Sequence, residues 1–215
     1  GKKLPKPAEP REVPAAVVCR PKDMKCYGSF KEFSADFPFD EEKPVIAFLY
    51  YGHIYPMDYS GAVAEICERL QKSANVLPVA VSGMDGINDG TLKKLLTEFM
   101  PAKTGLIMNC MSFRLSAGPM GGNISAGTDL LKELNVPYLH PLFMSRRTEK
   151  DWNDSIQGCT ASEVLISVML PEQDGAMLTL PVGAKTEPAY DEEFDVTSDE
   201  IKIIEERLEA LADRA

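Results

Sequence analysis

The stretch at 44–51, PVIAFLYY, constrains this chain most: eight residues with no charge and no polar break. An amphipathic strand alternates, so an unbroken apolar run of strand length reads as a strand covered on both faces. Similar short runs recur at 76–81 (VLPVAV), 104–110 (TGLIMNC) and 136–142, with a further strand expected at 176–182. Between them lie stretches with helical spacing. Ala62, Val63, Ile66 and Leu70 form one stripe within 59–73, and Leu92, Leu95, Leu96 and Phe99 another within 90–99, which Asn88 or Asp89 can cap. A further helix is expected near 125–134. Thr160 and Glu163 form a capping box ahead of a helix over 164–170. Strands alternating with helices specify βαβ units, right-handed crossovers and a parallel sheet. The expected fold class is α/β: a Rossmann-like or flavodoxin-like three-layer domain, with an extended N-terminal arm and a C-terminal helix. Pro78 inside the second run argues for a sheet edge or a bulge there.

The flanks are of different composition. Residues 1–27 are expected to be an extended arm or linker, since 1–23 carry five prolines. In 28–37 a helical turn or two is expected, with Phe30 and Phe33 on one face. The α/β domain is placed at 28–183 and an acidic linker at 184–197. A helix over 198–215 is expected, opened by a capping box from Thr197 to Glu200 and carrying Ile201, Ile204, Leu208 and Leu211 as its stripe. The chain starts with Gly and stops inside a helical pattern, so both ends read as boundaries within a longer polypeptide.

Composition narrows the function. The formal net charge of -10 repels phosphate backbones and anionic lipid, and no Lys/Arg cluster opposes it, so nucleic acid is not expected as a partner and anionic membrane surfaces are disfavoured. No apolar run reaches the ~20 residues a membrane span requires. The five cysteines have neither zinc nor redox-motif spacing, which points to free thiols in a reducing, cytoplasmic compartment. No Walker A loop, dinucleotide fingerprint or nucleophile elbow is present, and two histidines leave little room for a triad.

Ligands of an open parallel sheet bind beyond the carboxyl ends of its strands. The connectors expected there are 52–58, 82–86, 111–123 and 143–147. They combine Gly, Met, aromatic, His and Arg residues, which suits a flat apolar molecule with anionic substituents. His53 is a candidate ligand or axial donor, with a carbonyl-bonded rim histidine as the structural alternative. Arg114 is a candidate partner for a carboxylate, or else a salt bridge to Asp or Glu. The loop carrying Gly118 and Gly121 is a candidate wall of the site, or simple turn chemistry. His140, inside a strand, reads as packed or hydrogen-bonded rather than functional. Glu172 and Asp174 read as a structural turn rather than an acid pair.

The same pieces, in order over about 30–183, resemble the large, tetrapyrrole-binding subunit of cobaltochelatase and magnesium chelatase. PVIAFLYYGHIYPMDYSGAVAEICERLQKSANVLPVAVSG is similar to that family's strand, Ser-His loop, helix and following strand. LIMNCMSFRLSAGP resembles its strand, Ser/Thr-x-Phe-x-Leu and Gly-Pro loop, LNVPYLHPL its later strand, and MLPEQDGAM its Pro-Glu-x-Asp-Gly turn. The resemblance implies a segment of a much longer subunit that inserts cobalt or magnesium into a tetrapyrrole, a hydrogenobyrinic acid a,c-diamide-like corrin precursor or a porphyrin. ATP enters only through AAA+ partner subunits. His53, Asp58, Ser112, Phe113 and Arg114 match the family's loop positions and, with Gly118 and Gly121 of the loop read above, are the tetrapyrrole-binding candidates, His53 being the candidate axial ligand. The resemblance places no catalytic residue in this segment, because the family's His-Gly-x-x-Glu motif is absent. One departure is clear: the family carries Arg-Ser before the histidine, and Tyr51-Gly52 stand here. The alternatives are a scaffold module that only docks partners, and a haem-dismantling homologue.

Overall fold

In the computed structural model, residues 14–52, 60–82, 85–111, 113–118, 121–186 and 201–214 are described. They build one eight-stranded sheet with helices on both faces. The strands are β1 (Ala16–Arg20), β2 (Lys25–Tyr27), β3 (Val45–Tyr51), β4 (Asn75–Val81), β5 (Thr104–Asn109), β8 (Tyr138–Thr148), β9 (Met177–Lys185) and β10 (Ile201–Ile203), with a separate two-residue ladder of β6 (Ala117–Gly118) and β7 (Gly121–Gly122). The sheet order is β10-β9-β8-β5-β3-β4-β1-β2. Its five central strands β4, β3, β5, β8 and β9 are mutually parallel. Numbered among themselves they run 2-1-3-4-5, the flavodoxin-like order.

The helices lie on both faces, as crossovers of one hand in a sheet of this order require. Helix α2 (Ser60–Leu70) covers one face, with Ala62, Val63, Ile66 and Leu70 buried against Ile46, Phe48, Tyr50 and Val76. Helices α1 (Phe30–Asp36), α4 (Thr91–Glu98) and α5 (Ile124–Leu134) cover the other, where Phe33, Leu92, Leu96 and Leu130 meet Val45, Ala47, Leu49, Leu77 and Ile107. Odd and even positions of β3 therefore enter different layers. That is why its sequence shows no alternation. A short α3 (Asp85–Asn88) precedes α4, and Asp89, rather than Asn88, accepts the Thr91 N–H at 2.8 Å. After β8 come α6 (Glu149–Asp154), α7 (Ala161–Val164), a π-helical turn (Leu165–Met169) and α8 (Leu170–Gln173); the box of Thr160 and Glu163 caps α7 as expected. Helix α9 (Glu205–Arg214) returns to the α2 face: Glu205 meets Arg69 at 2.5 Å and the Arg207 guanidinium lies 4.4 Å from the Trp152 ring centre.

Several expectations are corrected. The part of the N-terminal arm within 14–27 is sheet: β1 joins β4 antiparallel and β2 pairs with β1. Pro78 is not at an edge, because β4 lies between β3 and β1. The ladder instead accommodates it. Ser82 donates to the Ala15 carbonyl at 2.9 Å, so in this register Cys19 stands opposite Pro78 as a hydrogen-bonded pair. Pro78 has no N–H to give, and the paired register ends at Val18↔Val79. The Cys19 carbonyl accepts the Tyr50 hydroxyl instead, at 2.8 Å. Residues 143–147 are not a connector: β8 continues through them to Thr148, paired with β9 at Phe143↔Gly183 and Met144↔Ala184. Ile201–Ile203 is a strand antiparallel to β9, and helix starts only at Glu205; the expected box at 197–200 lies outside the described residues.

Candidate functional site

The switch point of a 2-1-3-4-5 sheet lies between the first and third parallel strands, here β3 and β5. They pair in parallel up to Leu49↔Asn109, and the Cys110 N–H donates to the Leu49 carbonyl at 2.8 Å. Both strands therefore deliver their connectors to one edge, and β4 delivers a third beside them. The chain leaves β3 through Gly52 at φ 87, a left-handed conformation natural to glycine, with its N–H on the Val81 carbonyl at 2.9 Å.

The connector after β5 is held from below. Asn109 is fully buried; its Oδ1 accepts the Met111 N–H at 2.9 Å, and its Nδ2 donates to the Tyr138 hydroxyl at 2.6 Å and the Phe113 carbonyl at 3.2 Å. Arg114 is also buried. Its Nε donates to Asp174 Oδ1 at 2.8 Å and its Nη1 to Gln173 Oε1 at 2.9 Å, while Nη2 also faces Asp174. Asp174 Oδ2 accepts the Leu115 N–H at 2.9 Å. The guanidinium thus points into the protein, onto the turn after α8, and fixes the connector rather than presenting a cation at the rim. Phe113 is half-buried. Gly118 and Gly121 face each other in the β6–β7 ladder. Ser116, fully buried, accepts the Gly127 N–H on α5 at 2.9 Å. A Cβ on Gly127 would stand 2.5 Å from that hydroxyl, so glycine is what lets α5 approach.

Of the sequence candidates, the structure brings Phe113, Arg114, Gly118 and Gly121 together on the β5–α5 connection. His53, Asp58 and Ser112 lie outside the described residues. Asn109 and Tyr138, the supports of that connection, escaped the sequence reading. The signal for Asn109 was a lone amide closing an apolar strand. Tyr138 offered none.

Under the rim sits His140, in β8 and 0 % exposed. Neither ring nitrogen has a hydrogen-bond partner among the described residues. Burial pushes its pKa down to about 4, while the Asn109 and Ser167 carbonyls pull the other way without forming a directed bond. It is therefore neutral near pH 7. Among the described residues no cluster of three His, Cys, Asp or Glu is placed to hold a metal ion. No described helix is long and apolar enough to cross a membrane. A cavity of about 280 Å³, lined by Phe33, Phe37, Phe39, Asp40, Asn75 and Met100, lies at the opposite, N-terminal end of the strands. It is not part of the rim. There Asn75 holds the 37–43 turn, taking the Asp40 N–H at 2.9 Å and giving to the Asp40 and Lys43 carbonyls at 2.7 and 2.8 Å.

Fold and rim together define a doubly wound α/β domain in which β3, β4 and β5 end side by side at the switch point and the connector after β5 is supported by buried polar residues. The chain belongs to the CobN/Magnesium Chelatase family, whose model matches residues 1–215. It is 27% identical over 218 residues to an uncharacterized protein of Methanocaldococcus jannaschii, covering 96% of this chain and 17% of that protein. It is 30% identical over 141 residues to the chloroplastic magnesium-chelatase subunit ChlH of Oryza sativa, covering 64% of this chain and 10% of the relative. With the aerobic cobaltochelatase subunit CobN of Sinorhizobium sp it shares 27% over 180 residues, 81% of this chain and 13% of the relative. The catalytic subunit of cobaltochelatase from Mycobacterium tuberculosis has the same fold over 95% of this chain and 16% of its own, at TM-score 0.62 and 20% identity. The chain thus spans about a sixth or less of the length of these relatives.

Proposed function

We propose that this chain is the α/β segment of a chelatase large subunit, and that its switch-point rim contacts the tetrapyrrole into which cobalt or magnesium is inserted. The observation that carries the reading is the family match along the chain combined with a rim whose connector after β5 is braced from beneath. Phe113 offers an aromatic face to a macrocycle. Gly118 and Gly121 allow the backbone to come close to it. His53 serves as axial donor, and Asp58 and Ser112 supply polar contacts from the same connectors. Arg114 acts as a positioning residue: it holds Asp174, which holds the Leu115 N–H, and so sets the shape of the loop. AAA+ partner subunits hydrolyse the ATP. Metal and macrocycle are substrates here, not resident cofactors.

Titration of the full-length subunit with protoporphyrin IX and with hydrogenobyrinic acid a,c-diamide, followed by the macrocycle's absorbance, tests this. His53→Ala and Phe113→Ala should each weaken binding by roughly tenfold, the size expected of a lost stacking or ligand contact of about 1–2 kcal/mol. Unchanged affinity in both variants overturns the rim assignment. The docking alternative has its own support in a groove of about 560 Å³ between α1 and α4, lined by Phe30, Leu95 and Phe99. Under that reading Leu95→Asp disrupts assembly with partner subunits and leaves tetrapyrrole affinity intact.

A further inference from the structure

Cys19 and Cys26 face each other across the β1–β2 hairpin, in register, with their sulfurs 3.2 Å apart. Cys19 is fully buried on the α2 face and Cys26 is exposed. The pairing type follows from the ladder on the other side. Cys19 turns its backbone hydrogen-bonding groups toward β4, opposite Pro78, so toward β2 it stands in a non-hydrogen-bonded pair. Such pairs bring their Cα atoms to about 4.5 Å, inside the roughly 4.4–6.8 Å range that a disulfide spans. Closure therefore needs only a small approach of the two sulfurs, with no strand movement.

We propose that Cys19 and Cys26 form a reversible disulfide, a redox modification site in which the exposed thiol takes the oxidant and the buried one resolves it. The chemical class of oxidant is a small disulfide such as glutathione disulfide. The Cys26 sulfur attacks it; the oxidant's S–S bond breaks, a Cys26–glutathione bond forms, and one glutathione leaves as the thiol, taking up the proton Cys26 gives to solvent. The Cys19 sulfur then attacks Cys26, and the second glutathione leaves with the second proton. Two electrons pass from the protein thiols to the oxidant, and excess glutathione reverses both steps. The order of attack follows from access, and from burial and the Cys26 neighbour pushing the Cys19 thiol up to about 12. Cys67 and Cys110, buried among apolar side chains, stay reduced and act as internal references. The linkage ties the outermost strand to β1, so it blocks opening of this sheet edge.

The experiment incubates the folded chain in graded glutathione/glutathione-disulfide buffers, alkylates free thiols with iodoacetamide and maps tryptic peptides by mass spectrometry. The expected result is a linked pair of peptides 12–22 and 26–31, removed by dithiothreitol and absent in Cys26→Ser. In the oxidised chain, amide exchange over Lys25–Tyr27 slows on the order of tenfold relative to the reduced chain. Three results overturn the proposal: Cys26 halts as a glutathione mixed disulfide while Cys19 remains alkylatable after unfolding, Cys26 links only to a second chain, or the 19–26 link forms in denaturant but not in the folded chain.

Discussion

Two buried contacts dominate at the scale of single residues. Gly127 lets α5 sit against Ser116, and an added methyl meets Ser116 Oγ at 2.5 Å and Ser116 Cβ at 3.0 Å. Gly127→Ala should destabilise by about 1–3 kcal/mol despite the helix propensity it gains. Adding Ser116→Gly should recover part of that loss; denaturant titration of the single and double variants checks it. The Arg114–Asp174 pair is the second. Truncating either partner leaves the other charge buried, so Arg114→Met or Asp174→Ala should cost about 3–5 kcal/mol. Replacing both with Met and Leu should cost less than either single change, measured in the same way. Sequence showed that Arg114 follows a strand and that Asp174 sits in a Pro-Glu-x-Asp-Gly turn. It could not show that the two meet, because a contact across sixty positions depends on where β8, the π turn and α8 place the second residue.

At the scale of elements, β3, β4 and β5 and the helices between them were legible because each carries its own periodicity: unbroken apolar runs for strands covered on both faces, 3.6-residue stripes for helices. The elements that were missed lack such a signature. Strands β2 and β10 are three residues each and exist through pairing with a neighbour. The end of β8 reads Ser145-Arg146-Arg147-Thr148, polar enough to look like loop, yet pairing with β9 holds it as strand. Pro78 is the instructive case. Its missing N–H marks an edge only when nothing else meets the opposite carbonyl, and Tyr50 does so here. Tyr50→Phe should therefore leave the Cys19 carbonyl unsatisfied, at a cost of about 1–3 kcal/mol. In the Pro78→Ala background, where an N–H becomes available, the same change should cost measurably less; a double-mutant cycle reads that coupling.

At the scale of the whole molecule, His140 makes stability depend on pH. His140 has a folded pKa of about 4, below the ordinary value of 6.5. Between those values the unfolded chain binds the proton and the folded one does not, so stability falls as pH drops from 6.5 toward 4. Over that window His140 alone contributes a loss of about 3 kcal/mol. His140→Gln should flatten the profile there, as read by urea midpoints at several pH values. The fold places this histidine beneath the rim, next to the strand end that carries Asn109, so acid loosening should begin near the connector after β5.

The most direct measurement of the central claim is amide hydrogen exchange of the full-length subunit with and without bound tetrapyrrole. Protection concentrated in 52–59 and 111–122, with the N-terminal ends of β3 and β4 unchanged, is the predicted result. Macrocycle binding that leaves both connectors exchanging as in the free protein contradicts it.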